Sequence, residues 1–314
     1  MRLNLQRFGL TIAFVTLVAA LALLSPAFLT AENLLNVARQ VSINAIIAAG
    51  MTFVILTAGI DLSVGSLLAL AGAIMAGALK GGVPLALSLL AGLAAGTGFG
   101  VVNGLAVANG RVAPFIVTLA MLTIARGATL VYTGGRPISD LGPAFDWLGG
   151  GDLGGIPVPV IIMVLVFAAA YVMLTQMIVG RYIYAIGGNA EAARLSGVNV
   201  GRTTVLVYAL SGLLSAVAAV ILTARLDSAQ PTAGLGYELD AIAAVVLGGT
   251  TLMGGEGGIG GTLLGAFLIG VLNNGLNLLN VSSFYQQVVK GLVILLAVLV
   301  DQRLRRRGGR RRAA

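Results

Sequence analysis

The sequence predicts an all-α, polytopic membrane protein with about ten transmembrane helices, some of them interrupted. Of the 314 residues, 58% are hydrophobic and only 10% are charged, whereas a soluble domain carries about 25% charged residues. Apolar stretches long enough to cross a bilayer recur along the chain. The arginine-rich segments between them alternate with acidic ones, which is the charge asymmetry of a multi-pass topology.

The composition also excludes several chemistries. The sequence contains no cysteine and no histidine, so disulfides, thiolate nucleophiles, histidine bases and histidine metal sites are excluded. Lys80 and Lys290 are each followed by glycine, so a Walker A phosphate loop cannot be written. We therefore expect a chain that is not an enzyme, with no catalytic residue, no metal and no cofactor.

The apolar segments follow one another in a regular order. They lie at 8–24, 41–58, 62–79, 84–108, 114–132, 157–179, 203–224, 241–252, 262–279 and 284–300. The first could be a signal peptide, but its poor cleavage site and the spans that follow favour a membrane helix. Residues 32–40 would then lie outside as a connecting segment.

An even number of crossings places both termini on one side, and both are arginine-rich. Residues 1–7 and the basic tail 301–314 are therefore predicted to be cytoplasmic, and 1–314 to form a single transmembrane domain. The tail adjoins a membrane span, so its arginines are predicted to contact anionic membrane lipid rather than nucleic acid.

Two glycine-rich breaks interrupt this pattern. Residues 59–66 contain Asp61 and Ser63 between two apolar runs, and residues 254–261 contain Glu256. Asp61 is either a helix cap at the membrane surface or a carboxylate that lines a polar path, and both interpretations stay open. The segment 241–252 before the second break is too short to span a bilayer as a straight helix.

The two breaks resemble each other at a constant offset of 196 residues, which aligns Gly59 with Gly255 and Gly65 with Gly261. Interrupted helices at corresponding places in two halves are a sequence signal for a substrate path. The predicted topology gives both copies the same orientation, and an inverted repeat would require 241–252 to be re-entrant. The sequence leaves this choice open.

A glycine recurs at every fourth position of the segment 84–108, at Gly92, Gly96, Gly100 and Gly104. This spacing places the four glycines on one face of a helix. Small residues on one face allow close helix packing in membranes. The pattern therefore predicts a packing seam.

A polar loop, 180–202, separates two long apolar runs on the arginine-rich side. Asn189 is predicted to cap a short helix, and Gly197 to end it in a left-handed conformation. The loop is either an ordinary connection or a surface that contacts a partner.

Three stretches carry a resemblance to a known family. Residues 191–197 (EAARLSG) resemble the first half of the coupling loop of bacterial ABC importer permeases, which docks on an ATPase subunit; the proline of the longer pattern is missing. Residues 59–66 (GIDLSVGS) and 244–255 (AVVLGGTTLMGG) are similar to hallmarks of ribose-type sugar ABC permeases. The resemblance covers about 8–300, and branched-chain amino acid permeases are more distant relatives.

The resemblance implies a permease subunit of a binding-protein-dependent ABC importer for ribose or a related monosaccharide in the bacterial inner membrane. It implies a second permease copy as partner, most simply in a homodimer, with ATPase subunits inside and a periplasmic or lipid-anchored sugar-binding protein outside. By this resemblance, ATPase coupling falls on Glu191, Ala192, Ala193, Arg194 and Gly197.

The side chains available along a translocation path are polar ones in or beside the apolar segments: Asn44, Thr52, Asp61, Ser63, Glu256, Asn273 and Asn274. A secondary, ion-coupled transporter is the alternative class, and Asp61 and Glu256 would be its candidate carboxylates. A permease for branched-chain amino acids is the alternative within the same family.

Overall fold

The computed structural model describes residues 5–293 and 295, and most of these residues are helical. The helices are α1 (Leu5–Leu24), α2 (Ala31–Leu56), α3 (Val64–Lys80), α4 (Leu85–Ala108), α5 (Pro114–Thr133), α6 (Pro143–Gly150), α7 (Val158–Thr175), α8 (Ile178–Gly188), α9 (Ala190–Leu195), α10 (Val200–Leu226), α11 (Tyr237–Leu247) and α12 (Ile259–Leu278). A last helix, α13, begins at residue 283 and is described as far as residue 293.

Four two-residue strands complete the secondary structure of the described residues. They are β1 (Ile138–Ser139), β2 (Asp152–Leu153), β3 (Ile156–Pro157) and β4 (Ser228–Ala229). β1 pairs antiparallel with β4, with Ile138 opposite Ala229, and β2 pairs antiparallel with β3. The β1–β4 ladder joins the segment after α5 to the segment after α10. Five and seven predicted spans precede these segments, so the predicted topology places both on the outer side.

The predicted all-α polytopic membrane protein is confirmed. Within the described residues, six helices are long and apolar enough to cross a membrane: α2, α4, α5, α7, α10 and α12. Gly9–Leu24 and Val64–Lys80 are shorter apolar helices. The second half of the last predicted span and the tail 301–314 lie outside the described residues.

The predicted outer segment 32–40 is instead the first part of α2. Thr30 caps this helix, with its Oγ1 accepting from Asn33 N at 3.4 Å, and Glu32 lies in the first turn. A carboxylate near a helix N-terminus is stabilised by the helix dipole. The side chain of Asn33 also donates to Phe28 O at 2.8 Å. The polar residues that predicted a loop therefore form the capped N-terminal part of a 26-residue helix.

The core of the bundle is the antiparallel pair α2 and α10. A Cβ on Gly50 in α2 would lie 3.1 Å from Ser211 Cα. Gly59 follows the end of α2, and a Cβ on it would lie 2.6 Å from the hydroxyl of Tyr208. The contact therefore moves backwards along α10 as it moves forwards along α2. Most of α2 is buried, including the run from Ile43 to Leu56 apart from Asn44.

The other helices pack on this pair in a two-fold pattern. α4 packs along α10 as α12 packs along α2, and α3 contacts α10 as α11 contacts α2. The contacts therefore relate α2, α3 and α4 to α10, α11 and α12 as an inverted repeat, in which equivalent helices run in opposite directions. The offset of 196 residues in the sequence did not detect this repeat. α11 has 11 residues and is about 16 Å long, so it is too short to span a bilayer, as predicted for the segment 241–252.

The predicted glycine seam in α4 is confirmed, since Gly92, Gly96, Gly100 and Gly104 are all buried. A Cβ on Gly96 would lie 2.6 Å from Gly212 O, and one on Gly104 would lie 2.6 Å from Val205 Cα. These contacts are with backbone atoms of α10, so they cannot be relieved by rotating a side chain.

We expect Gly100→Ala to lower the free energy of unfolding by about 1–3 kcal/mol, because the new Cβ meets the backbone at Tyr208 and Ala209. Gly98→Ala, two residues away in the same helix, is the matched control, since a Cβ there has open space. Thermal unfolding of the detergent-solubilised protein measures both. Equal melting temperatures for the two variants would contradict the seam.

Candidate functional site

The polar loop contains the predicted short helix, α9, with the predicted caps. Asn189 Oδ1 accepts from Glu191 N and Ala192 N, both at 3.0 Å. At the other end Gly197 has a φ of +87°, and Val198 N donates to Ala193 O at 3.0 Å. This left-handed ending satisfies carbonyls of the last turn, as a C-terminal glycine motif does.

One face of α9 is open to the surroundings. Arg194 donates twice to the carboxylate of Glu191, at 2.6 and 3.1 Å, and these hydrogen bonds hold the pKa of Glu191 below its usual range. Both side chains are exposed, so this ion pair orients the two groups more than it stabilises the fold. Leu195 is 78% exposed, an apolar side chain on an otherwise polar surface.

Ala192 and Ala193 of α9 differ in burial. Ala192 is exposed, whereas Ala193 is only 5% exposed and packs against its own subunit. A larger side chain at Ala193 would therefore disturb the packing of α9 on its own subunit. Ala192 and Leu195 are exposed, so a substitution at either position leaves the packing within the subunit undisturbed.

Below α9, α8 contacts both glycine-rich breaks. Tyr184 donates its hydroxyl proton to Gly257 O at 3.0 Å. Gly255 N in the second break donates to the carbonyl oxygen of Leu56, the last residue of α2 before the first break, also at 3.0 Å. The exposed Glu256 lies in the same loop. The two breaks, which are far apart in the sequence, thus meet at the base of the predicted coupling loop.

Asp61 is fully buried at the centre of a polar network. Its Oδ1 accepts from Ser63 N at 3.0 Å and from Ser63 Oγ at 2.6 Å. Its Oδ2 accepts from Ser211 Oγ of α10 at 2.8 Å. Asn103 of α4 donates to Ser63 Oγ at 3.0 Å. The carboxylate therefore joins the break after α2 to two neighbouring helices. It does not cap α3, whose N-cap residue is Ser63 and whose first turn makes no side-chain capping hydrogen bond.

The remaining predicted path residues lie in other places. Thr52 Oγ1 and Thr262 Oγ1 are 2.8 Å apart between α2 and α12. Asn274 donates to Asn33 Oδ1 at 2.8 Å, near the start of α2. Asn44 Oδ1 and Asn273 Oδ1 are buried acceptors without a hydrogen-bond partner among the described residues.

The segment between α10 and α11 enters the bundle from the predicted outer side. A Cβ on Gly65, at the start of α3, would collide with Gly234 O. Arg126 of α5 fixes the segment by donating to Pro231 O at 2.6 Å and to Ala233 O at 2.9 Å. An open cleft of about 330 Å³ lies beside it, with Gln230, Thr232 and Tyr237 among its lining residues.

Sequence reasoning missed several of these polar partners. Arg126 inside an apolar span was a visible signal, because ionisable groups at membrane depth rarely lack a role. Lys290 forms an ion pair with Asp240 at 3.0 Å, linking α13 to α11. The sequence carried no signal that would place Asn103 and Ser211 beside Asp61, since the three residues come from distant segments.

Comparisons with known proteins agree with this architecture. Residues 33–298 match the family model described as branched-chain amino acid transport system / permease component. The ribose import permease protein RbsC of Escherichia coli K12 is 56% identical over 296 residues, 93% of this chain and 92% of that protein. RbsC of Bacillus subtilis 168 is 56% identical over 301 residues, 95% of this chain and 94% of that protein.

A third relative is more distant. The D-allose transport system permease protein AlsC of Escherichia coli K12 is 40% identical over 301 residues, 95% of this chain and 92% of that protein. No solved structure matches the chain significantly. The resemblance to ribose-type permeases in the breaks and the polar loop is confirmed by these similarities, which extend over nearly the whole chain. The chain therefore belongs to the family of transport-system permease components and is a multi-pass protein of the bacterial inner membrane.

Proposed function

We propose that the chain is the permease subunit of a binding-protein-dependent ABC importer that moves ribose or a closely related monosaccharide. The observation that carries this proposal is the 56% identity to ribose import permeases from two distant bacteria. Identity to the allose permease is lower, at 40%. Residues 1–314 would act as one permease domain, with 1–7 and 301–314 on the cytoplasmic side.

The proposed partners follow from what the chain lacks and exposes. Because the sequence has no Walker A loop, separate ATPase subunits would hydrolyse ATP on the cytoplasmic side. A periplasmic or lipid-anchored binding protein would deliver the sugar from outside. A second copy of the permease would complete the transporter as a homodimer, and inner-leaflet lipid would contact the arginine tail, which lies outside the described residues.

ATPase coupling is proposed at α9 and its C-terminal turn. Glu191, Ala192, Arg194 and Gly197 present an exposed, doubly capped surface, and Ala193 seats it on the subunit. The exposed Leu195 adds an apolar side chain that a groove on a partner would bury. The fully buried core of a protein interface is more apolar than the rest of the surface.

The translocation path is proposed to involve Asn44, Thr52, Asp61, Ser63, Glu256, Asn273 and Asn274, with two kinds of role. The unpartnered acceptors of Asn44 and Asn273 suit the hydroxyl groups of a neutral sugar. Asp61, Ser63 and Thr52 already bind protein groups and would shape the path by holding its helices in place. Contacts to the sugar should be few and weak, since the substrate must leave again.

The mechanism would be alternating access. ATP binding draws the two ATPase subunits together and moves the docked α9. The helices then rock so that the path opens outward and accepts the sugar from the binding protein. Hydrolysis resets the helices, and the sugar leaves on the cytoplasmic side. A conformational change of this kind needs a ligand that binds one state better than the other, which ATP provides at its own subunit.

Substrate competition tests the proposed sugar. In cells that produce the chain with its ATPase and binding protein, we expect uptake of labelled ribose that excess unlabelled ribose abolishes. Excess leucine should leave the uptake unchanged. Labelled leucine uptake that ribose does not reduce would instead identify the branched-chain amino acid permease that the family description names.

A further inference from the structure

We propose that Gly187 is a positioning residue through which the coupling loop holds both helix breaks at once. Gly187 of α8, Leu56 at the end of α2, and Gly254 and Gly255 before α12 form what we call the coupling junction. The proposal rests on the proposed importer function and adds the residue at which a movement of α9 and α8 becomes a movement of α2 and α12.

Gly187 lies against the backbone of two segments, the end of α2 and the loop before α12. A Cβ on this residue would collide with Leu56 O and with Gly255 N, and would lie 3.0 Å from the carbonyl carbon of Gly254. Real Cβ atoms do not approach backbone atoms this closely, so the position accepts only glycine without a shift of α8 or of both breaks. Glycine is the residue that allows such close backbone approach.

The two breaks are also joined to each other at this point. Gly255 N donates to Leu56 O at 3.0 Å. Gly254 and Gly255 have φ values of +81° and +75°, a conformation that glycine adopts at little cost. A Cβ on Gly254 would lie 3.0 Å from Gly187 Cα, and one on Gly255 would lie 2.8 Å from Gly188 N. A side chain on any one of these three glycines would therefore overlap with the backbone of the facing segment.

A second contact lies one turn away. The hydroxyl of Tyr184 on α8 donates to Gly257 O at 3.0 Å. The buried Ile183 and Ile186 anchor the same helix in the subunit. α8 thus contacts the loop before α12 through Tyr184 and Gly187, and Gly187 also contacts the end of α2.

Direct backbone contact explains why the junction would transmit movement. Side chains between two elements can change rotamer and absorb a small displacement, whereas packed backbone cannot. A shift of α8 therefore displaces Leu56, which precedes the Asp61 network, together with Gly255, which precedes α12. Both interrupted helices would respond to one ATPase movement.

The test compares Gly187→Ala with Gly188→Ala in the complete importer, reconstituted with its ATPase and binding protein. Gly188 is the matched control, because it is the neighbouring glycine and a Cβ on it has open space. For Gly187→Ala we expect transport to fall about tenfold or more. Co-purified ATPase and basal ATP hydrolysis should stay within about twofold of wild type, as should every property of Gly188→Ala.

The decisive readout is the amount of sugar moved per ATP hydrolysed, which a merely destabilised permease would not change. Tyr184→Phe removes the hydroxyl contact without adding volume, and we expect it to lower this ratio severalfold; it keeps the test valid if Gly187→Ala fails to assemble. The junction would be overturned if Tyr184→Phe has the wild-type ratio of sugar to ATP and Gly187→Ala either has the wild-type ratio too or fails to assemble. An equal loss in Gly188→Ala would also overturn it.

A failure of the proposed importer function would give results that differ from those of a failed junction. If the wild-type permease binds no ATPase, or transports without ATP, the importer assignment fails before the variants are compared. If the wild type binds its ATPase and transports ribose with ATP while Gly187→Ala and Tyr184→Phe both keep a normal coupling ratio, only the junction fails.

Discussion

Replacing Asp61 with alanine is expected to lower the free energy of unfolding by about 3 kcal/mol or more. The substitution leaves three buried donors, Ser63 N, Ser63 Oγ and Ser211 Oγ, without their acceptor. A buried donor that loses its partner costs about 1–3 kcal/mol, and water cannot easily replace the carboxylate in a site that is fully buried. Chemical unfolding of the purified protein measures the loss.

Asp61→Asn is the matched control for this prediction. The amide oxygen can still accept from Ser63, and the hydroxyl of Ser211 can turn to accept from the new NH₂ group. We therefore expect normal insertion and folding. Transport should fall, because the hydrogen-bond network of Asp61 that joins the first break to α4 and α10 is weakened. Unfolding free energies that are equal for the alanine variant and wild type would contradict the network. Normal uptake by Asp61→Asn would limit Asp61 to a role in folding.

Leu195→Asp is expected to abolish both ATPase co-purification and sugar transport while the permease folds normally. The side chain is 78% exposed, so the charge disturbs no packing within the subunit. If a partner buries this side chain, an unpaired carboxylate must lose its hydration, which strongly opposes binding. Gly197→Val should act in the same direction, because a β-branched residue is strained at a φ of +87°.

The control for the docking surface is Leu153→Asp, an exposed leucine of β2 on the opposite, predicted outer side. It introduces the same charge into the same protein and should leave ATPase binding unchanged. Because the wild-type sequence has no cysteine, Leu195→Cys also supplies a single thiol for labelling. Its reaction with a maleimide should slow when the ATPase is bound. Full ATPase binding by Leu195→Asp would show that α9 is not the docking surface.

Much of the fold was predictable because the membrane constrains the sequence strongly. Long apolar runs must be helices, since backbone groups in lipid have no other partners. The caps of α9 were predictable for a local reason, because Asn189 and Gly197 act on neighbours within a few residues. The glycine seam of α4 was predictable from periodicity alone.

The rest depends on contacts that sequence spacing does not encode. Polar residues at the start of α2 looked like a loop until Thr30 and Asn274 supplied their hydrogen bonds. Ala192 and Ala193 are alike in sequence, and only packing shows which of them is buried. The pairing of α2 with α10 was hidden because apolar residues carry little information about which helix they will contact.

ATP-dependent uptake of ribose into proteoliposomes tests the central claim most directly. The vesicles would contain the permease and its ATPase, with the sugar-loaded binding protein on one side and ATP on the other. The account predicts that ribose crosses only when ATP, ATPase and binding protein are all present, and that Leu195→Asp prevents this transport. Ribose accumulation that an ion gradient drives without ATP, or that continues when the ATPase is left out, would contradict the account.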